Sequence, residues 1–307
     1  MARVSTTASP APAPRTVEFG RRLASTVGLW GLVVAVFVWG HPLAFASLVV
    51  LLATLGTVEF HLMARQAGLQ SAIALSVVAC VGYSVALHCV LLSPPHSPAA
   101  LHLVDSLSFC LLLGLLFVLR LRLPIDGQRA VVGIGVALLG FVYLAFAFNF
   151  LSRVVFLGYD GSPGRPPGAW IALWLAAVTK FSDMGAYLVV SAIGRHKMIP
   201  HISPAKTWEG LCGAFLLAQL AACGLLAIFP KQLEALGGWD DAVILGFLLA
   251  GAAVVGDLAE SLRKRSRAIK DSGQALPGIG GVLDLIDSLC FSSPVLYFYL
   301  HLRHGVL

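Results

Sequence analysis

The chain has 307 residues, of which 58% are hydrophobic and only 12% are charged, and its formal net charge is +6. A mean hydropathy of +0.87 excludes an ordinary soluble globule, in which about a quarter of the residues carry charge. The basic balance, with a pI near 9.1, fits the loops of a polytopic membrane protein and anionic lipid headgroups; no basic-aromatic surface accompanies it, so no nucleic-acid partner is expected.

Residues 1–22 contain the Ala- and Pro-rich run TTASPAPAPR and are expected to be a disordered cytoplasmic tail ahead of a single transmembrane domain at 23–307. A cleaved signal peptide is not expected, because its apolar part would be too long and its charged leader too extended. Crossing a hydrocarbon core of about 30 Å takes roughly 20 helical residues. Apolar runs near 23–40, 43–59, 71–93, 104–119, 129–151, 169–194, 208–229, 242–260 and 279–302 predict an all-α polytopic integral membrane protein of about nine transmembrane helices. A cytoplasmic N-terminus collects most Lys and Arg on one side, from Arg21 and Arg22 to the run at 263–270, and leaves Arg153, Arg165, Lys231 and Arg303 on the other. Cys80, Cys89, Cys110, Cys212, Cys223 and Cys290 lie scattered through apolar runs without CxxC spacing, as packing residues do rather than disulfides or zinc ligands. No solenoid-length repeat is evident.

Polar residues gather in the C-terminal half. Lys180 and Asp183, spaced i,i+3, interrupt the sixth apolar run, where an unpaired charge costs about 2.5–3.5 kcal/mol on insertion scales. Two readings fit: an ion pair that fixes helix rotation, or Asp183 lining a substrate cavity. Ser203, Lys206, Thr207 and Glu209 then lead into an apolar helix. Free N–H groups and the positive dipole end at that helix start favour an anion, which makes Lys206 a candidate phosphate ligand, while Ser203 and Thr207 suit an N-cap equally well.

The densest polar stretch is 256–288, GDLAESLRKRSRAIKDSGQALPGIGGVLDLIDS. Asp257 with Glu260 and Asp284 with Asp287 are i,i+3 pairs, each on one helix face, and they flank a basic loop with Arg263, Lys264, Arg265, Arg267 and Lys270. A hard cation with a polyphosphate needs that combination of oxygen ligands and cationic partners. A merely topogenic loop needs the bases but explains neither the acids nor the glycines. With Asp257 about a turn before the end of one helix and Asp284 about a turn into the next, antiparallel packing is expected to bring these two acids to equal depth. Gly278, Gly280 and Gly281 serve either close approach to phosphates or tight helix packing. No metal-spaced His cluster, Ser-His-Asp set, Rossmann glycine motif or P-loop is present.

These motifs closely resemble the signature of the phosphatidate cytidylyltransferase (CDP-diacylglycerol synthase) family. That signature runs Ser, two residues, Lys-Arg, four residues, Lys-Asp, then Pro-x-His-Gly-Gly and Asp-Arg-x-Asp. Here the places read Ser261, Lys264 and Arg265, Lys270 and Asp271, Pro277 with Gly280 and Gly281, and Asp284 with Asp287. Three positions depart, with Arg263 at a usually apolar place, Ile279 for His and Leu285 for Arg. The upstream cluster resembles the family's Asp-x-x-Ala-Tyr, Gly-Arg and Ser-Pro-x-Lys-Thr-x-Glu-Gly motifs at Asp183, Ala186 and Tyr187, at Gly194 and Arg195, and from Ser203 to Gly210.

The resemblance implies catalysis within about 180–294, by attack of a phosphatidate oxygen on the α-phosphorus of CTP to give CDP-diacylglycerol and pyrophosphate. It implies Mg²⁺ on Asp257 and Asp284, with Asp287 a third candidate ligand and a second cation compatible with the set. Lys206, Lys264, Arg265 and Lys270 are the expected phosphate ligands, with Lys206 and Lys264 at the reacting groups. Ser203, Thr207, Glu209, Ser261, Asp271, Asp183, Gly280 and Gly281 are expected around the substrates, and Glu260 and Asp271 are expected to orient the cations. Expected partners are CTP, phosphatidate and membrane lipids, with no nucleic acid and with room for a homodimer, in the inner (plasma) membrane with the site facing the cytoplasm. Rival readings are another CTP-dependent lipid enzyme, such as a CDP-archaeol synthase or polyprenol kinase, and a membrane transporter.

Overall fold

The computed structural model describes residues 28, 30–69, 72–95, 97–122, 127–265 and 281–305. The tail 1–22 and the loop residues Lys270, Asp271 and Gly280 lie outside the described residues, as do the side chains of Arg263, Lys264 and Arg265.

Helices dominate, in the order α1 (Trp30–Trp39), α2 (Pro42–Gln66), α3 (Ile73–Leu91), α4 (Pro98–Leu121) and α5 (Gln128–Gly140). A π-helical turn, Phe141–Ala147, joins α5 to the short α6 (Phe150–Val155), and α7 (Ala169–Ile193) follows. A two-stranded hairpin, β1 (Lys197–Ile199) and β2 (Ser203–Thr207), precedes α8 (Trp208–Ile228), α9 (Trp239–Arg265) and α10 (Val282–His304). Among the described residues eight helices are long and apolar enough to cross a membrane, counting Gln128–Val155 as one, and α1 is a shorter apolar helix. The protein is therefore an all-α polytopic membrane protein, as the apolar runs predict.

Local chemistry sets the boundaries. Pro42 opens α2 after the turn at Gly40 (φ +68°), and the His41 ring nitrogen Nδ1 accepts from the Leu43 N–H at 3.2 Å. Thr207 caps α8, its hydroxyl accepting from Gly210 N at 3.1 Å. Gly305, left-handed at φ +60°, ends α10. In the π turn, the Ala145 carbonyl accepts from the Asn149 side chain at 2.6 Å, and the same amide reaches Ser84 Oγ on α3 at 2.9 Å.

Three differences from the sequence expectation have physical causes. α4 starts at Pro98, a proline in its first turn, rather than near 104, and Asp105 inside it is neutralised internally: Arg153 Nη2 lies 2.5 Å away and the Tyr83 hydroxyl 3.0 Å. α9 continues to Arg265 rather than stopping near 260. The hairpin was not anticipated, since three- and five-residue strands show no readable period; it is held from outside, by the Glu209 carboxylate accepting from the Arg195 and His196 backbone N–H groups at 3.2–3.3 Å.

The helices that carry the polar motifs approach closely through glycine. A side chain at Gly185 of α7 would run into the Gly213 carbonyl of α8, and one at Gly213 into the Gly185 carbonyl. Such contacts let van der Waals packing act where lipid provides no hydrophobic drive between helices. Trp174 Nε1 adds a 3.1 Å hydrogen bond to the Ala222 carbonyl across the same pair. On the other side of the bundle, Gly56 of α2 receives Ile286 Cδ1 of α10, which would stand 2.9 Å from any Cβ there.

Gly213→Val is expected to lower stability by more than about 2 kcal/mol through overpacking. Gly224→Val, on the same helix with open space around it, serves as the control and should stay near the parent melting temperature. Equal losses in thermal unfolding of the detergent-purified proteins would remove the Gly185–Gly213 contact as the cause.

Candidate active site

Three helices and the hairpin deliver charged side chains to one place. On α7, Lys180 Nζ lies 3.5 Å from Asp183 Oδ2 and 3.3 Å from Ser288 Oγ of α10. The ammonium of Lys206, from β2, sits 2.5 Å from Asp257 Oδ2 of α9. Asp183 also lies within electrostatic reach of Asp257 and Lys206, so these two ion pairs form one network. Asp287 of α10 is buried, and its carboxyl meets that of Glu260 on α9 with Asp257 and Lys180 close by.

The meeting of α9 and α10 depends on Gly256. A Cβ there would stand 3.0 Å from Ser288 Cα and 3.1 Å from the Asp287 carbonyl oxygen, so the absent side chain lets the two backbones come together. That contact sets Asp257 level with Asp287. The expectation that Asp257 and Asp284 share one depth took α9 to end near 260; because α9 runs on to Arg265, Asp257 lies two turns inside it and Asp284 one turn closer to the helix ends than Asp287.

Two carboxyl groups in contact inside a buried site, Glu260 and Asp287, repel unless a proton or a cation lies between them. Among the described residues no group of three or more His, Cys, Asp or Glu side chains closes around a metal position. An incomplete carboxylate set of this kind suits a hard divalent cation that keeps several waters and takes further oxygens from substrate phosphates.

The remaining expected residues divide by task. Ser203 is buried at the start of β2, and Thr207 is buried with its hydroxyl committed to the α8 cap. Glu209 holds the turn before β1, with His196 Nδ1 at 2.5 Å from its Oε1. Ser261 follows Glu260 on α9 and is partly exposed, and Gly281 is the N-cap residue of α10. Lys264, Arg265, Lys270, Asp271 and Gly280 belong to the parts outside the described residues.

Sequence reasoning missed two residues. Lys180 was weighed only against Asp183, yet it bridges α7 to α10 through Ser288. The apolar run near 43–59 stops at Glu59, whereas α2 continues past it to Gln66. Glu59 is 5% exposed, and its Oε2 accepts from Leu283 N of α10 at 2.9 Å. A lone acid within an apolar helix was the signal for it.

Beside the charged network lies an apolar cavity of about 150 Å³. Val33, Phe45, Leu52, Phe148, Ala176 and Leu289 help line it, and among the described residues Lys180 is its one charged lining residue.

The sequence profile of the cytidylyltransferase family matches residues 20–303, well beyond the motifs into the N-terminal half. The chain is 34% identical over 161 residues to the uncharacterized protein YnbB of Escherichia coli, covering 52% of this chain and 51% of that protein. It is 37% identical over 162 residues to the phosphatidate cytidylyltransferase of Haemophilus influenzae, covering 51% and 56% of the two chains. With the phosphatidate cytidylyltransferase of Brucella suis it shares 41% identity over 135 residues, covering 44% and 48%. The matched stretch thus spans about half the length of these curated relatives. Such a family fits a divalent-cation requirement.

If Glu260 and Asp287 confront one another as placed here, Asp287→Asn should raise the melting temperature measured in chelator, by relieving the acid-acid contact. Saturating divalent ion should raise that of the parent by on the order of 5 °C and leave the variant unmoved. A variant that melts lower in chelator and still responds fully to the ion would contradict this placement.

Proposed function

Because the chain belongs to the cytidylyltransferase family, we propose that it is a CTP:phosphatidate cytidylyltransferase that makes CDP-diacylglycerol and pyrophosphate for phospholipid synthesis. The observation that carries this reading is the junction at Lys180, where a charged network for phosphates adjoins an apolar cavity at membrane depth. A substrate with a phosphate head and acyl tails matches both halves of that junction. Named relatives of the same family, those of Haemophilus influenzae and Brucella suis, support the choice of acceptor.

In this reaction a phosphatidate phosphate oxygen forms a bond to the α-phosphorus of CTP, the bond from that phosphorus to the α,β-bridging oxygen breaks, and pyrophosphate leaves with that oxygen. The attacking group already carries charge at neutral pH, so no protein nucleophile is needed. The protein's task is alignment and charge neutralisation. Lys180 binds the phosphatidate headgroup and Lys206 the CTP phosphates; Lys264, Arg265 and Lys270 are further candidates for the triphosphate. Asp257 and Asp287, with Glu260 and Asp284, would hold Mg²⁺. A divalent cation so bound supplies neutralisation of the triphosphate and of the developing pyrophosphate. Asp183 orients Lys180 through their 3.5 Å contact.

Purified protein given Mg²⁺, labelled CTP and phosphatidate should yield CDP-diacylglycerol and pyrophosphate, and nothing once the ion is chelated. Asp257→Asn should lower turnover by about 10²-fold or more, since a loss of about 1.4 kcal/mol in barrier stabilisation is already tenfold. Release of CDP with a phosphorylated prenol would assign a kinase instead, and no use of CTP with any lipid phosphate would end the proposal.

Because CTP is cytosolic and the Lys and Arg bias points the same way, the site faces the cytoplasm of the inner (plasma) membrane. His201, in the hairpin turn, and Lys231, beyond α8, are both exposed. Cysteines placed there, in a background without the native six, should label from the cytoplasm and from the opposite side respectively. Labelling of both from one side would refute the arrangement.

A further inference from the structure

We propose that Glu59 is the positioning residue that fixes the start of α10, and that Gly281 lacks a side chain to admit the Glu59 carboxylate rather than a phosphate. The inference rests on the reading of the α9 and α10 acids as the cation site. It concerns α2, a helix outside the polar motifs.

The first turn of α10 needs a cap. Its N-cap residue is Gly281, which offers no side-chain acceptor, so the N–H groups that begin the helix would be left without partners in a low-dielectric setting. Glu59 supplies the acceptor from another helix, 224 residues away in sequence, by its 2.9 Å hydrogen bond from Leu283 N to Oε2. Leu283 adjoins Asp284 and lies one turn before Asp287. Whatever holds that amide sets the height and rotation at which both acids emerge.

Gly281 is shaped to this contact. A Cβ there would collide with Glu59 Oε2, and it would stand 3.0 Å from Cδ and 3.3 Å from Oε1. Both carboxylate oxygens thus press on the one face of Gly281 that a side chain would occupy. Glu59 is 5% exposed, and its Oε1 is buried without a hydrogen-bond partner among the described residues. An unshared carboxylate is placed there at appreciable desolvation cost, and the positive end of the α10 dipole is the compensation at hand. Three residues earlier on the same face of α2, Gly56 receives Ile286 of α10. The two contacts together lock α2 and α10 in one register.

The experiment is a double-mutant cycle on Glu59→Ala and Gly281→Ala in the full-length protein, read first by Mn²⁺ affinity from electron paramagnetic resonance and then by kcat and KM for CTP. Outer-shell partners of metal ligands typically change affinity by about 10–100-fold. Glu59→Ala should weaken Mn²⁺ binding and kcat by about tenfold or more with KM for CTP little changed. Gly281→Ala should do the same, and the double variant should be no worse than either single. Glu59→Gln, which keeps an oxygen acceptor for Leu283 N, should stay closer to the parent than Glu59→Asp, whose shorter side chain cannot reach; this pair decides the matter if Glu59→Ala does not fold.

A lowered melting temperature with unchanged Mn²⁺ affinity in Glu59→Ala would make Glu59 merely structural and overturn the proposal. Gly281→Ala exacting its full loss again in the Glu59→Ala background would return Gly281 to the phosphates. Intact Mn²⁺ binding by the parent without CTP turnover would defeat the assigned reaction and leave this inference standing.

Discussion

Charge inside a hydrocarbon layer has to be answered within the bundle, and this requirement organises the molecule. Charged side chains that join the described elements pair with one another: Lys180 with Asp183 and Ser288, Lys206 of β2 with Asp257, and Arg153 and Tyr83 with Asp105. At the far end of α9 and α10, Asp241 accepts from Tyr299 at 2.6 Å and from the Gly238 amide at 3.1 Å, with Arg303 and His304 nearby. These groups fix which faces the helices turn toward each other, because any other rotation would leave a charge facing lipid. The outer pairs are complete in themselves. Among the described residues the inner network is not, for it sets four acids, Asp183, Asp257, Glu260 and Asp287, against the two ammonium groups of Lys180 and Lys206, and that excess of negative charge is what a divalent cation would offset.

Delivering those groups to one point needs helices that come closer than ordinary side chains permit. Gly185 with Gly213, and Gly256 against Asp287 and Ser288, supply that approach for α7, α8, α9 and α10. The same glycines that look like concessions in helix propensity therefore set the geometry of the polar network. Their neighbours in sequence, Asp183 beside the first contact and Asp257 beside the second, carry the charge. Close packing and chemistry are thus written into adjacent residues, and a change that loosens one moves the other.

The membrane character, the number of apolar helices and the location of the polar cluster were legible in the sequence, because hydropathy and rare charged residues report directly on lipid burial. Helix ends were legible for α7, expected near 169–194 and found at Ala169–Ile193, and less so for α2, α4 and α9. The run near 43–59 stops at Glu59, whose partner amide at Leu283 lies on the last helix, and the pairing of Asp105 with Arg153, 48 residues away, is equally hidden in the sequence. Both are tertiary contacts to which local periodicity is blind. The level of Asp257 failed for a related reason: basic residues after 260 suggested the end of the helix, whereas the backbone stays helical through Arg265. The hairpin between α7 and α8 was invisible because Glu209, read from sequence as a substrate residue, holds it from the following helix.

The apolar cavity gives the asymmetry of the bundle a chemical meaning. Its walls come from α1, α2, the end of the α5–α6 span, α7 and α10, so the N-terminal half supplies most of the apolar surface and the C-terminal half most of the charge. Lys180 belongs to both, lining the cavity while it bonds to Ser288 and Asp183. An amphiphile held with its head at Lys180 would have its tails against α1 and α2, and its head within the same network as Lys206 and Asp257. A water-soluble nucleotide entering from the hairpin side would meet that network without entering the apolar space. Under the proposed function the division between halves of the chain would follow the division between a lipid and a nucleotide substrate: the family profile extends through residues 20–303 while the charged motifs occupy only the C-terminal part, and the demand on the first half is apolar character and close packing.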